Sequence, residues 1–418
     1  MNHYKDVKTY LDQKDAGSAF DLIKKQLTPS YKIENNIELK ILLELISRSF
    51  ALFGDESSQA ACSKLVNDTT NSNAFYELGI RLTSAQHPGI ATAILGYGLS
   101  QFPKDERLLH ELVASLEIQG LYKIALTYLK ASQNREFTTI YLLAFNTLMM
   151  GDIDEARKIA VALEPNSTSE YQMNDRLNRI FLRIKAIEGV TSLDASDFRG
   201  WHFALTGGLL LHLPDPAKHK FGHYESLEDS NALLKEGIYR LCSIFELWKV
   251  RIPRIHSFDN PESHRLGLAF SETLGVPERT TLLPNEPGLF VFYDQANIIR
   301  DVLTQISKHA KGVYFYCHGS QFNSEYSVAP DFTNLMYSWM VSPWDRHTIF
   351  PPRPDLPTSP PSASDLELAK AITSSDVHQE NLNDLNKLLE LADAGKAYTA
   401  QSMPEGSPRE RQWHGRKL

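Results

Sequence analysis

Small residues recur at intervals of a little over 30 residues among apolar helical positions, and this spacing constrains the chain more than any other feature. In NAFYELGIRLTSAQHPGIATAILGYGLSQFP (residues 73–103) the pattern is Phe75, Leu78, Gly79, Leu82, Ala91, Leu95, Gly98 and Pro103. Ala125 lies 34 residues beyond Ala91, with Leu112, Leu116, Gly120, Tyr122 and Leu129 in matching slots. A further 31 residues lead to Ala156, with Gly151 in the turn slot. Two antiparallel helices that cross closely need small residues at the crossing and large apolar ones around it. A hairpin built this way buries its open face only by stacking on a neighbour. DAGSAFDLIKKQL (15–27) and FGDESSQAACSKL (53–65) each read as a turn followed by a second helix. We expect about five helical hairpins between residues 2 and 190.

The run Phe75, Leu78-Gly79, Leu82, Ala91, Leu95, Pro103 resembles the tetratricopeptide repeat (TPR). That family has a large aromatic residue, Leu-Gly, Tyr, Ala, a large apolar residue and Pro. Leu82 stands here for the Tyr and Leu95 for the Phe. The resemblance covers less than half of the chain. It implies an α-solenoid over residues 1–190 whose concave groove, within residues 70–165, binds a protein or peptide partner. It does not imply catalysis, and an irregular helical bundle is the alternative.

The second half changes grammar. SLDASDFRGW breaks the helical pattern, WHFALTGGLLLHLPDP is apolar before Pro214 and Pro216, and residues 217–230 read as a polar loop. A helix is predicted over 231–250. Units of strand and helix then alternate: strand 251–259, helix 260–277, strand 288–294, helix 295–312, strand 313–319. Strands apolar on both faces that alternate with helices argue for a parallel sheet covered by helices. A helix over 331–341 with core tryptophans Trp339 and Trp344 is expected next. The predicted domains are thus a TPR-like repeat (1–190), an α/β domain (191–348), a Pro-rich linker (349–364), a helical segment (365–396) and a disordered basic tail (397–418). The fold class is α plus α/β.

Parallel sheets bind ligands beyond the carboxyl ends of their strands. Those ends give Asp259, Asp294 and His318 as candidate catalytic groups, with His318 the general base because its ordinary pKa is near neutral. Ser263, Gln295, Gly319 and Ser320 are candidate ligand-binding residues. The bland alternative is that such polar residues only cap the next helix.

His-Gly after an apolar strand is similar to the histidine motif of caspase-like peptidases. That family needs a cysteine on a later strand, and Cys317 is the last of the three cysteines. Adjacent strand residues also point to opposite faces, which keeps Cys317 and His318 apart. HSFDNPESHRLGLAFSETLGVP faintly resembles a phosphoribosyltransferase strand–loop–helix, but the acidic pair and the Thr/Gly-rich phosphate loop are missing.

No metal set and no cofactor motif is present, so no cofactor and no metal are predicted. Scattered histidines are read as surface residues. The net charge of −8 disfavours nucleic acid as a general partner. No apolar run approaches the roughly 18 residues of a membrane span, and no secretory leader is visible, so a cytoplasmic location is expected. Two functions remain open. One is a scaffold that recruits a protein or peptide to the α/β module. The other is a transferase-like enzyme acting on a substrate held by the repeat array.

Overall fold

The structure is a computed structural model that describes residues 4–28, 31–85, 87–215, 222–280, 286–298, 308–322, 326, 328–344, 349–350, 362–377, 383–403 and 410. The chain divides into two compact units, Met1–Asp175 and Arg176–Arg416. The boundary lies somewhat before the expected residue 190.

The first unit is made of helix pairs: α1 (Lys5–Asp12) with α2 (Ala16–Gln26), α3 (Asn36–Phe53) with α4 (Glu56–Asn67), α5 (Ser72–Ser84) with α6 (Pro88–Gln101), α7 (Glu106–Ile118) with α8 (Tyr122–Ala131), and α9 (Phe137–Met149) with α10 (Ile153–Ala160). Each pair packs internally and against the next. The small residues do the work that their spacing implied. A Cβ on Gly79 would lie 2.5 Å from a Leu95 methyl, and one on Gly98 would lie 2.8 Å from Phe75 Cγ. One apolar core runs unbroken from Tyr4 to Leu129.

The turns inside the pairs repeat as well. Lys14, Gly54, Gly120 and Gly151 all adopt positive φ (59°, 75°, 71° and 87°). In three of these turns an aspartate follows, at φ near −90° and ψ near 80°, and caps the second helix. Asp15 accepts from the Ser18 amide, Asp55 from Ser58 and Asp152 from Glu155.

In the second unit, α11 (Thr168–Ala186, from Arg176 onward) is followed by α12 (Phe198–Thr206), β1 (Leu209–Leu210), β2 (Tyr224–Glu228) and α13 (Asn231–Trp248). Next come β3 (Ile255–Ser257), α14 (Pro261–Leu274), β4 (Glu278–Arg279), β5 (Gly288–Asp294), β6 (Val313–Gln321), β7 (Phe332–Val341), β8 (Ile349–Phe350), α15 (Asp365–Ser374) and α16 (Leu385–Gly395). Among the described residues the sheet order is β1–β7–β6–β5–β3–β4, with β2 and β8 also on β7. Every pairing is parallel except β7–β8. β1 pairs with the start of β7 and β2 with its end, so together they form one interrupted edge strand. The expected parallel α/β sheet is therefore present.

From β3 the chain moves outward to β4, whereas from β5 it moves the other way to β6. The carboxyl ends of β3 and β5 thus flank a topological switch point, where a crevice can form. On one face, Phe270 of α14 meets Tyr316 edge-on at 4.8 Å, and Phe245 of α13 meets Tyr314 at 5.7 Å. On the other face Phe290, Phe292, Phe315 and Cys317 pack with Phe258 and Val328.

Several sequence expectations are corrected. Residues 332–341 form strand β7, not a helix, because their side chains fit between two parallel neighbours. Trp339 is 46% exposed rather than core, whereas Trp344 is 9% exposed. The end of the expected loop 217–230 is strand β2; residues 216–221 lie outside the described residues. β6 runs to Gln321, so Gly319 and Ser320 belong to the strand rather than to a loop after it. The expected helix 295–312 begins as a 3-10 turn, Gln295–Asn297, and residues 308–312 are not helical; residues 299–307 lie outside the described residues.

The segment 365–396 is two helices, both docked on the unit. Arg265 donates to Asp365 at 2.7 Å, and Trp248 Nε1 donates to the Ala392 carbonyl at 3.1 Å. Most of the Pro-rich segment 349–364 lies outside the described residues. The tail expected to be disordered from residue 397 holds a 3-10 turn at Ala400–Ser402, and Glu410 is buried. No described helix is long and apolar enough to cross a membrane.

Alanine normally improves a helix over glycine by up to about 1 kcal/mol. At Gly98 the root of the Phe75 ring blocks the added methyl, so Gly98→Ala is expected to lower stability by about 1–3 kcal/mol. Urea unfolding of the full chain measures this, and an unchanged or raised midpoint contradicts it.

Candidate functional site

Strand alternation separates the predicted site residues into two sets. β5 and β6 are in register with Asp294 opposite Gly319 and Phe292 opposite Cys317, so these four share one face. Tyr293 and His318 point to the other.

On the α13 side, His318 is fully buried. Its Nε2 lies 3.1 Å from Asp229 Oδ2, and its Nδ1 lies 3.2 Å from the Asn334 amide nitrogen. An amide NH2 only donates, so His318 Nδ1 accepts and Nε2 carries the proton toward Asp229. The same Asp229 oxygen accepts from the Tyr293 hydroxyl at 2.7 Å, and Oδ1 accepts from the Ser230 amide at 2.8 Å. Ser230 is the N-cap of α13, so the positive end of that helix dipole backs the carboxylate. Burial raises the Tyr293 pKa, and the adjacent Asp229 raises it further. Tyr293 is thereby kept a neutral donor.

On the opposite face, Asp294 accepts from the Tyr337 hydroxyl and, at 2.7 Å, from the Ala296 amide. Burial pushes its pKa from 3.8 to about 7, although the Tyr337 and Ala296 hydrogen bonds and nearby His318 pull downward. Gly319 leaves room for this carboxyl: a Cβ there would lie 3.3 Å from Asp294 Oδ2. Ser320 donates to Gln295 Oε1 at 2.7 Å, and Gln295 donates to the Val328 carbonyl at 2.7 Å.

The structure therefore places Asp294, Gln295, His318, Gly319 and Ser320 at the sheet's carboxyl end, with Asp294 and His318 on opposite faces, and leaves two candidates out. Asp259 is exposed and belongs to neither set. Ser263 is a structural tie: its amide is capped by Asn260, and its hydroxyl accepts from the Tyr293 amide at 2.9 Å. Trp344 packs on Tyr293 at 5.2 Å, and Arg265 lies over the Trp344 ring. Burial pushes the Cys317 thiol well above its usual range, which disfavours the thiolate that a nucleophile needs.

Sequence reading missed Asp229, Tyr293, Asn334 and Tyr337. Asp229 lay in a segment read as loop, and Asn334 and Tyr337 lay in one read as helix. It also missed a second buried chain. His212 sits between Tyr224 Oη (2.6 Å) and Glu236 Oε1 (2.7 Å). Arg240 joins Glu236 (2.9 Å) to Asp384 (2.6 Å), and Asp384 bonds Arg199 at 2.5 Å. Burial alone would raise Glu236, but His212 and Arg240 hold it below the usual carboxylate range. His202, His223, His256 and His309 are buried too, against the surface expectation.

Among the described residues no group of His, Cys, Asp and Glu is placed to hold a metal ion. Chemically, Tyr293, Asp229 and His318 form one buried hydrogen-bonded chain. No protein-family model matches the chain, and neither does any curated protein.

Asp294 is protonated in the folded state up to about pH 7, but its unfolded form ionises near 3.8. Between those values the native state binds the extra proton. The stabilisation from Asp294 is thus full below 3.8 and is lost as pH rises toward 7. Asp294→Asn mimics the neutral carboxyl, so its melting temperature relative to wild type should rise from about pH 5 to about pH 8. A difference that stays flat or falls over that range refutes the assignment.

Proposed function

We propose that this is an interaction protein whose N-terminal helical array holds a protein or peptide segment and whose α/β unit is a docking or regulatory module. The observation that carries this reading is that the groups suited to chemistry are closed. His318 and Ser320 are fully buried, Asp294 is 1% exposed, and each already spends its hydrogen bonds inside the protein.

The array, by contrast, carries a row of polar side chains across its first helices α5, α7 and α9, of which Asn73, Tyr76, Arg107, His110 and Glu117 are half-buried or exposed and Thr139 and Asn146 are buried. Arg107 reaches Asn73 at 3.2 Å and lies over the Tyr76 ring. His110 meets Thr139 at 2.9 Å, and Asn146 donates to Glu117 at 2.6 Å. In the TPR-like reading the half-buried or exposed members of this row, Asn73, Tyr76, Arg107, His110 and Glu117, line the inner surface of a solenoid. Donors, acceptors and an aromatic face in a row suit an extended peptide.

A second reading, a transferase-like enzyme, draws support from Asp294 with its pKa raised to about 7 beside His318 at a topological switch point. Perturbed groups of this kind gather at functional sites. In that reading His318 is the general base and Asp229 orients it.

Affinity capture with the full chain tests the first reading. Tyr76→Ala with Arg107→Glu should reduce the wild-type partner set at least about tenfold, with thermal unfolding unchanged. The same partners recovered in equal amount by the folded variant would overturn it.

A further inference from the structure

The second unit holds a charge cluster that the strand ends do not use. Arg176, Arg179 and Arg183 follow one another at i, i+3 and i+7 on α11, so they share a helix face. All three converge on the Glu410 carboxylate. Arg179 reaches Oε1 with Nε and Nη2, both at 2.9 Å. Arg176 Nε stands 3.5 Å from Oε2, and Arg183 Nη1 stands 3.6 Å from Oε1.

The Arg183 side chain is 2% exposed. Its Nε donates to the Tyr398 carbonyl at 3.2 Å, but its Nη1 is buried with no hydrogen-bond partner. Burial, reinforced by the two neighbouring arginines and opposed by Glu410, lowers its pKa to about 10. Arg176 and Arg179 are 21% and 17% exposed, so the cluster has a buried floor and a wet rim. The Glu410 carbonyl accepts from the Ala329 amide at 2.7 Å, which holds this point of the C-terminal segment to the link ahead of β7.

A carboxylate offers two oxygens in a plane and one charge. It engages Arg179 closely and leaves Arg183 Nη1 beyond hydrogen-bond range. A phosphoryl group offers three terminal oxygens and a charge of about −1.5 to −2, the shape and charge that guanidinium forks match. We propose that Arg176, Arg179 and Arg183 form a binding site for the phosphoryl group of a small phosphorylated molecule. Glu410 is then the chain's own stand-in ligand, which that molecule displaces. Binding is coupled to release of Glu410, which weakens it by competing for the site.

Titration calorimetry of the full chain with pyrophosphate tests this. Glu410→Gln should bind pyrophosphate at least about tenfold more tightly than wild type. Adding Arg179→Gln should abolish the gain, and citrate, a polycarboxylate, should bind more weakly. The proposal falls if folded Glu410→Gln binds no better than wild type, if the gain survives Arg179→Gln, or if citrate competes equally.

Wild type gives an independent reading should Glu410→Gln fail to fold. Arg409 and Arg411 flank Glu410, so saturating pyrophosphate should speed tryptic cleavage there severalfold, as displacement requires. An unchanged rate in wild type also overturns the proposal.

Discussion

The guanidinium of Arg240 is the tie on which much of the α/β unit depends. It is fully buried and bonds the Leu211 carbonyl, Glu236 and Asp384 together. Through Asp384 it reaches Arg199, which in turn holds the Leu210 and Leu211 carbonyls at 2.8 and 2.9 Å. One alternating chain of charge thus joins α12, the end of β1, α13 and the start of α16. Burying charge is costly, and removing one member of such a set leaves the others unpaired, at about 3–5 kcal/mol. The chain of contacts makes α16 part of the fold, although its sequence reads as an appended helix.

A second constraint is the alternation of the sheet. β6 turns His318 toward α13 and Gly319 toward Asp294, so two polar centres lie back to back across one strand. They solve burial differently. Asp229 is given three donors and a helix N-terminus, which suits a negative charge. Asp294 has fewer donors, and burial moves it toward the neutral acid. Two carboxyls at one end of one sheet are therefore satisfied by different sets of donors, and the cause is the side of the strand on which each falls.

The parallel sheet was legible because GLFVFYD and VYFYC are apolar on both faces, as strands covered on both sides must be. The residues around the centre were less legible. DFTNLMYSWMV looked helical because strand–helix alternation led us to expect a helix after VYFYCHG. The chain instead returns from Gln321 to Phe332 by a link shorter than the about a dozen residues usual for a parallel crossover. That one departure hid Asn334 and Tyr337. Asp229 was hidden for another reason. It reads as loop polarity, and its partners Tyr293 and His318 are 64 and 89 residues away. Long-range pairing has no local signature: strand-end position singles out Asp294 and His318 but not Asp229, and it singles out the exposed Asp259, which joins neither buried set, just as readily.

The helix pairs show the converse, a backbone more regular than its letters. Gly54, Gly120 and Gly151 take the left-handed turn at little cost, since glycine has no Cβ to clash. Lys14 takes it too, at φ 59°, where a side chain costs roughly 1–2 kcal/mol. The residue does not favour that geometry, so the packing of α1 and α2 against α3 must impose it. Asp15 then caps α2 at nearly the dihedrals that Asp55 and Asp152 adopt. The same turn geometry thus forms with lysine at the left-handed position as with glycine. The segments 15–27 and 53–65, each read as a turn followed by a second helix, accordingly share one turn geometry, although the left-handed position is Lys14 in one turn and Gly54 in the other.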